Sequence, residues 1–316
     1  MLSSTAEHLF WMARSMERAE NTARMLDVTY RMSLLKNTVP EAVDQEWIAV
    51  LNISGLYSLY SEQHPLVSAA EVIDFMAFDE ANPSSIFNSL RLARDNCRTV
   101  RGTVTSEMWE TLNATWIEMK KLKGAGITAD GISDFFDWVK ERSHLFRGIT
   151  YGTMLHDDAF RFIRLGTFLE RADNTARILD VKYHILLPSL QDVGGVADYY
   201  QWGALLRSVS AFETYRKAYK DLITPRRVTE LLILRADMPR SLHACVQEVD
   251  EQGSIINGPR SGELLRLTGM LRAELRFGRI EDIIEQGLHE YLTRFLTRIH
   301  AIGDQINSTY FWPSDD

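Results

Sequence analysis

The chain has 316 residues, of which 45% are hydrophobic and 25% are charged, an ordinary globular composition that excludes intrinsic disorder for most of its length. Its formal net charge of −8 offers no basic surface for nucleic acid. Eighteen Gly and eight Pro are too few for a turn-dense all-β sandwich or barrel.

Helical patterns and helix breakers predict an all-α fold, a bundle of about twelve helices. The capping-box pair Ser4 and Glu7 predicts that the first helix starts there, and Pro40 ends it. Asn82 and Pro83 are interpreted as an N-cap and a first-turn proline. The predicted helices, in chain order, cover residues 5–36, 41–62, 68–79, 83–101, 105–122, 132–147, 155–187, 197–220, 225–236, 239–252, 261–276 and 280–309.

An internal repeat is the strongest signal in the sequence. Residues 16–30 and 169–183 are identical at 11 of 15 positions, whereas unrelated segments would share about one. A similar offset links Trp47 to Trp202, and Pro83 to Pro239. The chain is therefore predicted to be one compact domain, 1–316, built from two tandem repeats of approximately 1–150 and 151–316 that are related by a pseudo-two-fold axis.

Each repeat carries a polar stripe along one face of its helix, because residues three and four apart lie on the same side. The stripes consist of Glu17, Asn21 and Arg24 in the first repeat and Glu170, Asn174 and Arg177 in the second. They allow three interpretations. The residues of one half pair with those of the other and fix the register of the halves, or they line a cavity for a ligand with carboxylates or amides, or they face solvent and a partner.

Other chemistry receives little support from the sequence. Glu141 and His144 form the Glu-x-x-His spacing of di-iron bundles, but no second copy exists. At the repeat offset His144 instead matches His300, and the sequence assigns neither histidine a role. Cys97 and Cys245 are interpreted as small buried residues rather than nucleophiles. No phosphate-binding glycine loop is present. We therefore predict no metal and no cofactor.

The localisation is predicted from what the sequence lacks. No apolar run reaches the length of a membrane span, and the N-terminus lacks the features of a secretory signal. Two cysteines cannot build a disulfide framework. We expect a cytoplasmic protein without membrane or nucleic-acid partners.

Segments 10–24 and 165–177 resemble the bacterial alpha-E family, an all-helical domain named for its Glu-Arg motif. The resemblance covers the chain from Leu2 to Trp312. It implies a gene neighbourhood with an ATP-grasp amide ligase, a transglutaminase-like cysteine peptidase and sometimes a proteasome-like peptidase, and with it a role in making, carrying or processing a peptide. It implies no particular reaction.

The family motif maps onto four positions, Glu17-Arg18 and Glu170-Arg171, and the following arginines Arg24 and Arg177 also carry over. Arg14 does not, because its counterpart is Thr167, which puts in doubt any role that needs this arginine in both halves.

Two functions are compatible with these observations. The first is a non-catalytic helical partner or scaffold of the ATP-grasp ligase and peptidase system, with a peptide-like ligand bound at the polar residues of the two repeats. These residues, here named the seam, are Glu17, Arg18, Asn21, Arg24, Glu170, Arg171, Asn174 and Arg177. The alternative is an enzyme that acts on a carboxylate- or amide-bearing peptide substrate, with Glu17 or Glu170 as the general base. The alternative needs a glutamate with a raised pKa beside a cavity of ligand size.

Overall fold

A computed structural model describes residues 1–35, 40–128, 131–185, 196–256 and 261–311. The described residues form fifteen α-helices and a short π-helical turn, Asn307–Phe311, and contain no β-strand. The helices are α1 (Ser3–Leu35), α2 (Pro40–Ile53), α3 (Tyr57–Ser61), α4 (Ala69–Ala77), α5 (Ile86–Thr99), α6 (Ser106–Ala125), α7 (Ile132–Thr153), α8 (Asp158–Ile185), α9 (Val196–Ser208), α10 (Phe212–Tyr219), α11 (Pro225–Ile233), α12 (Leu242–Ile256), α13 (Gly262–Phe277), α14 (Ile280–Gln286) and α15 (Leu288–Ile306). The all-α prediction is confirmed.

The two long helices that carry the repeated sequence, α1 and α8, pack against each other in the centre of the fold. Small residues permit this close approach. Gly166 of α8 lies against the backbone of Phe10 in α1, so that a Cβ atom at this position would overlap the Phe10 carbonyl oxygen and lie 3.3 Å from the Cβ of Ala13. The alanines Ala19 and Ala172 are completely buried.

The other helices surround this central pair. Helices α5 and α7 pack on α1, whereas α12 and α15 pack on α8. One cluster of buried apolar side chains extends from Ala6 to Phe311 and includes residues of both α1 and α8. Within the part of the chain that the structure describes, no helix has the combination of length and apolar character that crossing a membrane requires.

The predicted number of about twelve helices is too low because three predicted helices are divided. The divisions lie next to residues with positive φ, Gly55 at 68°, Ser210 at 54° and Gly287 at 93°. A backbone in this region cannot continue a right-handed helix. Hydrophobic periodicity missed these breaks because apolar residues continue on both sides of each one.

Two predicted helix starts also differ from the structure. Helix α1 begins at Ser3, so Ser4 lies inside its first turn rather than at the N-cap. Helix α5 begins at Ile86, where the hydroxyl of Ser85 accepts a hydrogen bond from the backbone N–H of Asn88 at 3.2 Å. Asn82, the predicted cap, instead donates its side-chain amide to the carbonyl of Phe75.

Candidate functional site

The Glu-Arg motifs of α1 and α8 bind each other reciprocally. Arg171 donates from Nε and Nη2 to the two carboxylate oxygens of Glu17, both at 2.9 Å. In the same way, Arg18 donates to the two carboxylate oxygens of Glu170, at 2.6 and 3.1 Å. Each glutamate is therefore held in the two-point geometry that suits a guanidinium and a carboxylate, by the arginine of the other motif.

These partners differ from the pairing we expected between the two stripes. Arg24 does not cross to the other helix but binds Glu20, four residues earlier on α1, at 2.7 Å. Arg177 likewise binds Asp173 on α8 at 2.7 Å. The sequence indicated the correct faces, but the cross-helix contacts come from the arginine next to each glutamate.

The first group of charges, here named the closed cluster, comprises Glu17, Glu20, Arg24, Arg147, Arg171 and Arg240. Arg240 comes from the connection between α11 and α12 and donates to Glu17 at 3.0 Å and to Glu20 at 2.6 Å. Arg147, from α7, donates to both carboxylates. Glu17 and Glu20 are buried, and every one of their oxygens accepts at least one hydrogen bond.

The arginines keep both acids of the closed cluster ionised. Burial raises the pKa of Glu17, but the charges of Arg171 and Arg240 outweigh that effect and lower the pKa to about 2. Burial also raises the pKa of Glu20, yet the charge of Arg240 and the neighbouring His144 hold this pKa well below its ordinary value. These carboxylates are permanent anions at neutral pH.

The second group, here named the open cluster, comprises Glu170, Asp173, Arg14, Arg18, Arg177 and His300. Arg14 donates from Nε to Glu170 at 2.7 Å, and His300 donates from Nε2 to Asp173 at 2.6 Å. Burial raises the pKa of both acids. The charges of Arg18 and Arg14 nevertheless lower the pKa of Glu170, and hydrogen bonds from His300 and Arg177 lower that of Asp173 to about 2.

A pocket of about 240 Å³ lies beside the open cluster. Arg14, Arg18 and Arg177 line it together with Asn21 and Ser84. The side-chain Nδ2 of Asn21 is buried and has no hydrogen-bond partner among the described residues. An orphaned buried donor of this kind costs about 1–3 kcal/mol.

The structure brings all eight predicted seam residues to these clusters or to the pocket: Glu17, Arg18, Asn21, Arg24, Glu170, Arg171, Asn174 and Arg177. Sequence reasoning missed the contributions of Arg147 and Arg240, which lie on neither repeated helix. The sequence match of Pro83 with Pro239 aligns Arg240 with Ser84. This alignment is the signal in the sequence that could have pointed to Arg240.

Arg14 binds Glu170 although the sequence offers it no counterpart. The residue at the matching position, Thr167, donates its hydroxyl to the carbonyl of Ile163 in its own helix. Among the described residues, Arg14 therefore binds a carboxylate of the open cluster, while Thr167 makes no matching contact in the closed cluster. These contacts support the doubt about any role that needs this arginine in both halves.

The two matched histidines lie next to matched charges. His144 Nε2 is 3.1 Å from Arg24 Nη2 and 3.6 Å from Glu20 Oε1, while His300 contacts Asp173. Among the described residues, no group of three or more His, Cys, Asp or Glu side chains is arranged to hold a metal ion.

Both cysteines are buried and unpaired, as the sequence analysis predicted. Burial raises the pKa of the Cys97 thiol and of the Cys245 thiol to about 12. Neither thiol is a nucleophile at neutral pH, because the reactive form is the thiolate.

Comparison with known proteins places the sequence in a family. Uncharacterised proteins of Mycobacterium bovis and Mycobacterium tuberculosis are each 22% identical to the chain over 316 residues. The match covers 93% of this chain but only 35% of each relative, so the chain spans about a third of their length. No solved structure matches. The sequence model of the alpha-E family, described as a predicted alpha-helical domain with a conserved ER motif, matches residues 1–311. The chain belongs to the alpha-E family.

Proposed function

We propose that the chain is a non-catalytic helical binding protein that holds a peptide-like ligand at the open cluster and serves as a cytoplasmic partner of an ATP-grasp ligase and peptidase system. The observation that carries the binding role is the pocket of about 240 Å³, which three guanidinium groups and a buried amide line. The partnership rests on what membership of the family implies about its neighbouring genes.

The enzyme alternative receives no support from the geometry of the two glutamates. A general base is most effective when its pKa lies near the operating pH, whereas the guanidinium groups around Glu17 and Glu170 lower both pKa values. The oxygens of both carboxylates already accept hydrogen bonds from arginines. Their role is to anchor guanidinium groups, some of which line the pocket.

We further infer that the chain is one domain of two homologous halves, approximately 1–150 and 151–316, related by a pseudo-two-fold axis. The reciprocal Glu-Arg pairs support this relation, because a two-fold axis exchanges the two motifs. A second pair of matched contacts supports it as well. The hydroxyl of Tyr60 donates to the carbonyl of Leu66 at 3.0 Å, and the hydroxyl of Tyr215 donates to the carbonyl of Leu222 at 2.8 Å. The two tyrosines are 155 residues apart in the sequence, and the two leucines are 156 residues apart.

The ligand role is tested by filling the pocket. Isothermal titration calorimetry with N-acetylated dipeptides, supplied both as free acids and as amides, measures binding to the wild type, Ser84→Arg and Ser84→Ala. We expect saturable binding to the wild type and to S84A, and none to S84R, because a long side chain at Ser84 enters the pocket. Unchanged binding to S84R would contradict the location of the site.

The partner role is tested by co-expressing the chain with the neighbouring ATP-grasp ligase. Size-exclusion chromatography in the presence of ATP and Mg²⁺ should yield one co-migrating peak, and the same run without nucleotide serves as the control. Separate elution under both conditions would remove the support for a scaffold.

A further inference from the structure

The seam between α1 and α8 carries more positive than negative charge. The closed and open clusters together contain four carboxylates and seven arginines, namely Arg14, Arg18, Arg24, Arg147, Arg171, Arg177 and Arg240. Of this excess of three positive charges, two lie in the closed cluster and one lies in the open cluster, in a chain whose net charge is −8. Three of these arginines, Arg24, Arg171 and Arg240, have side chains less than 10% exposed. Excess charge in a largely buried region is unfavourable unless a counter-ion offsets it.

The pocket exists because one position of the repeat differs between the halves. In the closed cluster, the guanidinium of Arg240 occupies the space beside Glu17, Glu20 and Asn21. The matching position in the other half is Ser84, whose short side chain leaves the space beside the open cluster empty of protein atoms. Among the described residues, the open cluster therefore has a space beside it that a ligand can enter, whereas Arg240 occupies the corresponding position in the closed cluster.

Most of the polar side chains that line this space can donate hydrogen bonds. Asn21 uses its Oδ1 to accept from Arg240 at 3.1 Å, while its buried Nδ2 has no partner in the described part of the chain. Arg14 binds Glu170 through Nε, so its terminal nitrogens remain for a ligand. The acids next to the pocket, Glu170 and Asp173, already accept hydrogen bonds on both oxygens. Donors and positive charge call for a ligand with an anionic acceptor.

On the basis of the binding function proposed above, we propose that the pocket holds a carboxylate of the peptide-like ligand, bound by Arg14 and Arg18 beside the buried Asn21. A volume of about 240 Å³ is below the range of roughly 300–1,000 Å³ that encloses a drug-sized molecule. The pocket therefore takes the carboxylate-bearing end of the ligand, and the rest of the ligand lies outside it.

Three probes separate the carboxylate from the peptide that carries it: N-acetyl-glycyl-alanine, the same dipeptide as its amide, and N-acetyl-glycyl-glutamic acid α-amide, which has only a side-chain carboxylate. Calorimetry at low ionic strength should give a dissociation constant at least about tenfold lower for the free acid than for its amide, the effect of about one charge-assisted contact. The third probe shows whether a side-chain carboxylate also fits. Equal affinity of the first acid and its amide would overturn the proposal.

Asn21→Asp is the sharpest variant. It keeps an oxygen that accepts from Arg240 but replaces the orphaned amide donor with a negative oxygen, which repels a bound carboxylate. We expect binding of the free acid to weaken at least about tenfold, with no loss of thermal stability because the added charge offsets part of the positive excess. Asn113→Asp is the matched control, since Asn113 also accepts from an arginine, Arg94, but lies outside the pocket.

The outcomes distinguish this inference from the proposed function. If the free acid and its amide bind the wild type equally, and if S84R abolishes the binding of both, the carboxylate anchor is overturned. The peptide-binding role then remains in place. Absence of binding by all three probes to the wild type would overturn both. Tight binding of the acid that N21D leaves unchanged would refute the assigned contacts, even if the N113D control behaves as expected.

Discussion

Replacement of Arg171 by Met tests whether the Glu-Arg pairs hold the two central helices together. Arg171 has a side chain only 8% exposed and donates two hydrogen bonds to Glu17. Methionine preserves most of the apolar volume but removes the charge. Glu17 then keeps Arg147 and Arg240 as partners, both at 3.0 Å.

Removing one partner of a buried ion pair costs about 3–5 kcal/mol. Because two arginines remain beside Glu17, we expect R171M to lower the free energy of unfolding by about 3 kcal/mol. The reciprocal variant Arg18→Met should cost less, about 1–2 kcal/mol, because Arg18 is 30% exposed and Glu170 keeps Arg14. For a chain of this length, 1 kcal/mol corresponds to about 1.5 °C in Tm. We therefore expect Tm to fall by about 4.5 °C for R171M and by about 1.5–3 °C for R18M.

Thermal unfolding followed by circular dichroism at neutral pH measures these shifts, and the urea midpoint provides an independent check. Arg266→Met is the matched control. Arg266 binds Glu263 through two hydrogen bonds of 2.7 Å, but its side chain is 55% exposed, and such surface pairs contribute about 1 kcal/mol or less. A Tm of R171M within 1–2 °C of the wild type, or an equal loss in R266M, would refute the structural role of the buried pair.

Three further predictions concern acid stability, helix contact and thiol reactivity. Because the pKa of Glu17 is lowered to about 2 in the folded chain, its contribution to stability is complete above about pH 4.5 and is lost as pH falls toward 2; urea midpoints that do not decrease over this interval would contradict this. Gly166→Ala should lower Tm by several degrees because its Cβ would overlap the backbone of α1, whereas Gly148→Ala, in open space on α7, should be neutral or slightly stabilising. Cys97 and Cys245 should react with iodoacetamide at pH 7.5 only after denaturation, and rapid labelling of the folded chain would show that they are accessible.

The sequence was sufficient to predict the all-α fold class and the helix faces that carry the polar residues. The spacing of Glu17, Asn21 and Arg24 depends only on the helical period, which is a local property. The sequence also matched His144 with His300 without assigning either a role, and in the structure His144 lies near Glu20 and His300 contacts Asp173. Helix breaks were harder to predict, because a non-glycine residue such as Ser210 adopts a positive φ without any strong signal in its identity.

The repeated Glu-Arg motif and the polar faces of the two central helices are thus written in the sequence itself. Only the tertiary structure decided which guanidinium meets which carboxylate, because that choice depends on how α1 and α8 cross near Gly166 and on which loop reaches the seam. Arg240 fills one half of the seam and Ser84 leaves the other half open. Two helices that share 11 of 15 residues in the repeated segment therefore have different surroundings in the described structure, a closed cluster of charges on one side and a pocket on the other, since side chains from distant parts of the chain determine the space between them.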